Sequence, residues 1–147
     1  MPTGLVHFVV TETLDAACAA VFDIISDPRR RLEWQSSLRS VELETPGPAR
    51  LGTRWREVTR AGPGFEMEIT AFEAPTRWSE RGSGRLADAA LQVEFEPVPQ
   101  GTRLSVTVDI TFKGPFQLLA PLVRRLMPGA LAADLRRVGK LARSASG

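Results

Sequence analysis

The segment "TRLSVTVDITF" (residues 102–112) alternates without a break. Leu104, Val106, Val108, Ile110 and Phe112 fall on one side, and Arg103, Ser105, Thr107, Asp109 and Thr111 on the other. A period of two with one apolar face predicts a strand in an antiparallel sheet, covered on one side and wet on the other. The same rhythm recurs upstream. Phe65, Met67, Ile69 and Ala71 share a face in "FEMEITAFE", as do Leu91, Val93 and Phe95 in "DAALQVEFEPV"; Glu66, Glu68, Gln92, Glu94 and Glu96 face the other way. Shorter β-rich runs cover residues 5–13, 40–44, 53–60 and 77–82. The turn-forming stretches "TPGPARLG", "AGPG", "APT", "SGRLA" and "PQG" separate them, and "GPG" and "GSG" read as hairpin turns.

Two other regions change period. In "AACAAVFDIIS" the residues Cys18, Val21, Phe22 and Ile25 recur at helical spacing, with Asp15 as the expected N-cap. Pro28 cannot continue that helix, so it should stop at Ser26 or Asp27, with a short helical turn over residues 29–34. Near the end, Leu119, Val123, Leu126, Ala130, Leu135, Val138 and Leu141 form an apolar stripe in a long helix over residues 115–143. Pro128 should kink or split it and mark a bent, gate-like region. The predicted order is strand, one or two short helices, six strands, long helix. A sheet with one apolar face needs a cover, and only the last helix is long enough. A curved sheet under one helix leaves a hollow, the ordinary setting of an apolar ligand site.

The 147 residues suit one domain spanning the whole chain, and 43% hydrophobic residues supply its core. No run of 18 apolar residues is present, so no integral membrane association is expected. The start, "MPTGLVHFVVTETLD", lacks a basic region ahead of an apolar run, so no signal peptide is expected. One cysteine excludes an internal disulfide and fits a cytoplasmic location. A net charge of +2 does not call for nucleic acid. Arg29–Arg31 are read as solvated. Arg124, Arg125, Arg136 and Arg137 leave weak membrane-surface contact as an open reading. With one histidine and one cysteine, a zinc site of several such ligands cannot form within the chain. No nucleophile elbow, dinucleotide fingerprint or phosphate loop occurs. Neither metal nor nucleotide cofactor is expected.

The order of elements, together with "AAVFDIISDPRRRLEW", "GTRWREV", "APTRWSERG" and "GTRLSVTVDITF", resembles the START-like (SRPBCC) superfamily, in its polyketide cyclase/dehydrase-like bacterial branch. The most specific part is the helix ending in Ser26-Asp27-Pro28 with Trp34 six residues after the proline. The resemblance implies an α+β helix-grip fold: a seven-stranded curved antiparallel sheet around a long C-terminal helix, with two short helices after the first strand. It also implies a cavity for lipids, polyketides or similar hydrophobic molecules. Trp34 would anchor the corner that closes one end.

No constellation dictates a reaction. Alternation in "TRWREVTR" puts Arg54, Arg56 and Arg60 outward and Trp55 and Glu57 inward; "RWSERG" puts Trp78 and Glu80 inward, and one bulge would reverse either reading. Glu57 and Glu80 are candidate acid–base groups, since an apolar cavity favours the protonated form of a carboxyl it encloses, or else they pair with arginines or lie at the rim. His7, the one histidine of the chain, is the third candidate. Trp34, Trp55, Met67, Ile69, Trp78, Leu91, Val93, Phe95, Leu119, Val123 and Met127 are the expected lining of a ligand site. In aromatase and cyclase relatives the pocket commonly offers arginine and tyrosine. Here tyrosine is absent and the strand arginines point outward, which shifts weight toward binding. The leading reading is a binder of a small hydrophobic molecule. The alternatives are a cyclase, aromatase or dehydratase-type enzyme and a protein-interaction module. No pattern in the chain encodes an oligomeric state.

Overall fold

The computed structural model describes residues 4–146. The chain begins with β1 (Leu5–Leu14) and α1 (Cys18–Ile25). A 3-10 turn (Pro28–Arg30) and α2 (Arg31–Trp34) follow. Then come β2 (Leu38–Leu43), β3 (Arg54–Thr59), β4 (Gly64–Glu73), β5 (Arg77–Gly84), β6 (Ala87–Val98) and β7 (Gly101–Phe112). A second 3-10 turn (Gly114–Leu119) leads into the 27-residue α3 (Ala120–Ser146). The strands form one antiparallel sheet in the order β1-β7-β6-β5-β4-β3-β2. β1 and β2 are its two edges, so α1 and α2 carry the chain from one edge to the other. The curved sheet grips α3, the α+β architecture that the pattern and the resemblance implied.

Local chemistry explains most boundaries. Pro28 starts the 3-10 turn, and Asp27 caps it by accepting the Arg29 backbone N–H at 3.0 Å. The expected cap of α1 is corrected: the cap residue is Ala17, with no side-chain hydrogen bond. Asp15 instead faces solvent near Arg143. The Thr102 hydroxyl holds the Ala16 carbonyl at 2.7 Å and fixes the β1–α1 corner. Gly101, at φ +138°, lies against that corner; a Cβ there would collide with the Leu14 carbonyl oxygen.

Two strand readings also change. Gly82 and Gly84 belong to β5, and the turn is Arg85–Leu86. A Cβ at Gly82 would strike Met67, and one at Gly84 the Phe65 ring and the Gly64 carbonyl, so close approach to β4, not a turn, requires these glycines. In β4 a bulge between Ile69 and Ala71 shifts the register. It turns Phe72 inward in place of Ala71, where its ring meets Phe22 edge-on at 5.2 Å.

The core lies between the inner sheet face, α1 and the second half of α3. Ala120, Leu131, Asp134, Leu135, Val138, Gly139 and Ala142 are the buried positions of α3, while Leu119, Leu126 and Ala130 of the expected stripe are exposed. The helix leans toward β1 and α1, and its first half stands away from the rest of the sheet. Pro128 does not split it: α3 is one helix through that residue.

Candidate functional site

The gap under the first half of α3 is a hollow of about 490 Å³. Phe65, Met67, Leu91, Val108, Ile110 and Phe112 form the sheet wall, and Leu119, Val123, Met127 and Leu131 form the helix wall. The space exists because the inner face of β6 carries only Ala87 and Ala89 at two successive inward positions, beside Gly82 and Gly84 of β5. Larger residues there would fill it, since close-packed interiors leave few voids by chance.

One end of the hollow is polar, and its centre is Arg31. The Arg29–Arg31 group was expected in water, but Arg31 is 1% exposed. The reason is helical phase: Pro28, Arg31 and Trp34 lie three residues apart, and all three are buried on one face. The guanidinium meets Glu80 through two contacts, Nη1 to Oε1 at 2.9 Å and Nη2 to Oε2 at 3.3 Å. Nη1 also donates to Gln35 Oε1 at 2.8 Å. The rings of Trp34, Trp55 and Trp78 surround it, with centroids 5.2, 5.5 and 5.5 Å from its central carbon. Each desolvated cation–π contact of this kind stabilises by about 2 kcal/mol. Glu57 completes the group, buried and accepting the Trp55 indole N–H at 3.0 Å.

The charges do not balance. One guanidinium faces two carboxylates, and Glu80 takes its direct contacts. Burial pushes the Glu57 carboxyl above its ordinary range; the Arg31 charge opposes that and the Glu80 charge adds to it. Burial works against the Arg31 charge, but Glu80 and Glu57 outweigh it and hold the guanidinium above its ordinary value. Among the described residues, Arg31 Nε, Trp34 Nε1 and Trp78 Nε1 are buried donors without an acceptor. Arg31 and Trp34 both border the hollow. Beneath the polar end there are therefore donors that no protein group satisfies, and a protonated Glu57 would add one more.

The expected site residues divide into three groups. Trp34, Met67, Leu91, Leu119, Val123 and Met127 border the hollow, as do Glu57 and Glu80. Trp55, Ile69, Trp78, Val93 and Phe95 are core residues that do not border it; the two tryptophans take part only through the Arg31 cage. His7 lies apart from the hollow, on the outer face between exposed Leu5 and Val9, paired with Asp109 of β7. Sequence reasoning missed Arg31, Gln35 and Asp134. Asp134 on α3 accepts the Ser36 hydroxyl at 2.9 Å and ties the helix to the loop after α2. The spacing of Arg31 to Trp34 was the available signal; Asp134 offered none. Among the described residues no group of His, Cys, Asp and Glu is arranged to hold a metal, and no helix is long and apolar enough to cross a membrane.

A family model described as polyketide cyclase/dehydrase and lipid transport matches residues 6–143. The chain belongs to that family. Solved structures give the same fold to this polyketide cyclase/dehydrase and lipid transport family member. The Zhui aromatase/cyclase from Streptomyces sp. R1128 is 13% identical, with 97% of this chain and 96% of that one covered at a TM-score of 0.83. The protein TTHA0849 from Thermus thermophilus is 20% identical, with 97% and 99% covered at 0.78. Ara h 8.0201 is 16% identical, with 96% and 99% covered at 0.72. These likenesses establish a START-like helix-grip fold. No curated protein matches the chain by sequence.

Proposed function

We propose that this family member holds a small hydrophobic molecule in the hollow, with an oxygen-bearing end turned toward Arg31, Trp34 and Glu57. The observation that carries this reading is an apolar hollow of about 490 Å³ ending at a buried cluster with unused donors. The apolar walls favour the body of such a ligand, and the donors favour a carbonyl or hydroxyl oxygen at its end. The family description, which includes lipid transport, supports the same class of ligand.

The test is native mass spectrometry of gently purified protein, followed by organic extraction. A discrete added mass that leaves on denaturation is expected. Ala89→Trp, which fills the hollow from β6, should release it while the fold survives. A protein that takes up no hydrophobic probe, or takes it up equally after Ala89→Trp, would overturn the reading.

A second reading, a cyclase- or dehydratase-type enzyme, has one specific observation in its favour. Glu57, Glu80 and Arg31 converge at one end of the hollow, and burial favours the protonated form of Glu57. A neutral carboxyl there can hydrogen-bond a ligand carbonyl, and its ionised form can take a proton from the adjacent carbon. Turnover of a poly-ketone lost in Glu57→Gln, with the bound mass retained, would favour catalysis over holding alone.

A further inference from the structure

Most cations of this protein are paired. Arg54 and Arg81 meet Glu68, Arg56 meets Glu66, Arg103 meets Glu96, Lys113 meets Asp88, and Arg136 meets Glu12. Arg137 meets Asp134. Among the described residues, Arg39, Arg50, Arg60, Arg85, Arg124, Arg125 and Lys140 have no carboxylate partner, and four of them, Arg60, Arg85, Arg124 and Arg125, lie in or next to segments that border the hollow. Arg60 borders the hollow itself, and Arg85 adjoins Leu86, which also borders it. Arg124 and Arg125 follow Val123 of the helix wall, and Arg124 reaches only the Leu5 carbonyl, at 2.8 Å.

The same rim exposes leucines. Leu118 is 85% exposed, Leu122 55% and Leu126 59%. Leu122 and Leu126 are one turn apart on α3, and Leu118 precedes them in the 3-10 turn, so they lie on one side of the segment whose other positions wall the hollow. From Gly114 to Ala133 the chain has no acidic residue. Apolar side chains of this size are costly to leave in water, and contiguous ones mark a docking surface. Unpaired cations around them set the sign of the partner.

We propose that this rim, Leu118, Leu122 and Leu126 with Arg60, Arg85 and Arg125, docks on an anionic lipid surface, with the mouth of the hollow turned toward the acyl chains. Leucines enter the boundary between headgroup and acyl region, and arginines meet the lipid phosphates. A second copy of the chain fits less well, because a self-complementary contact would bring the unpaired arginines together. The proposal concerns the rim and does not depend on which molecule fills the hollow.

The experiment is co-sedimentation of the whole chain with vesicles at low salt. One set is phosphatidylcholine alone, and the other contains phosphatidylglycerol as well. Binding to the anionic set only is expected, weakening as salt is raised. Arg85→Gln and Arg125→Gln should each lower partitioning about fivefold, and Leu122→Glu with Leu126→Glu should abolish it. These positions are exposed, so the melting temperature should stay within a few degrees of the parent, which separates lost docking from lost folding. No binding to either set would overturn the proposal, and so would equal binding that the variants leave unchanged. A dimer in solution that Leu122→Glu and Leu126→Glu dissociate would also overturn it, by giving this face to a second copy.

Discussion

Arg31 is held by three indole rings and Glu80, with Glu57 close enough to bias its charge. Breaking such a group from one side is far worse than removing it whole. Arg31→Met should destabilise the fold by about 3–5 kcal/mol, because it leaves two buried carboxylates without a cation. Adding Glu80→Leu should restore much of that loss, and urea denaturation of the single and double variants checks it. Glu57 makes a pH prediction. Its folded value lies above the ordinary 4.5, so the folded protein binds this proton more tightly than the unfolded chain does. The associated stability is present below pH 4.5 and is lost as pH rises through the folded value. Glu57→Gln removes that loss. Its denaturation midpoint should therefore rise relative to the parent as pH increases above the ordinary carboxylate range; parallel curves would contradict the assignment. Here the limit of sequence reading is plain. The inward turn of Glu57 and Glu80 was legible from alternation in "TRWREV" and "RWSERG". Arg31 was not, because three arginines in a row read as a solvated corner, and helical phase outweighed that only once Pro28 and Trp34 were seen buried with it.

At the scale of elements, α3 carries a proline at its ninth position and remains one helix. Pro28 behaves otherwise: it stops α1 and starts a new turn. The difference is position. Pro28 comes after a complete helix, whereas Pro128 lies inside one whose second half is anchored by Leu131, Leu135, Val138 and Ala142. The proline ring still denies the Arg124 carbonyl its helical amide partner. Pro128→Ala should stabilise the protein by about 1–3 kcal/mol. Amides of residues 124–132 should exchange faster than the rest of α3 in the parent and slow down in the variant. Uniformly slow exchange in the parent would remove any gating role for this stretch. Strand existence was well marked in the sequence, and strand ends were not. "GSG" looked like a turn because glycine serves turns and close approach alike, and only the neighbours Met67 and Phe65 distinguish the two. The bulge after Ile69 left no pattern at all, so Phe72 could not be placed inward beforehand.

At the scale of the molecule, the architecture follows from an imbalance: one apolar sheet face, one long helix, and too few large side chains on β5 and β6 to fill what lies between them. Periodicity made the sheet and the cover legible. The hollow followed from curvature only in outline, because its position depends on where α3 leans, which no stripe reveals. Leu126 and Ala130 belong to the apolar period yet stand exposed, since the helix follows β1 and not the middle of the sheet. The cage around Arg31 has an optical consequence. The chain has three tryptophans and no tyrosine, and all three indoles meet at this one guanidinium. Ultraviolet-excited emission from the native protein therefore originates at one cluster, at and beneath the polar end of the hollow. The molecule carries its own fluorophore where an occupant would arrive, and a titration followed at that wavelength reads the site without an attached label.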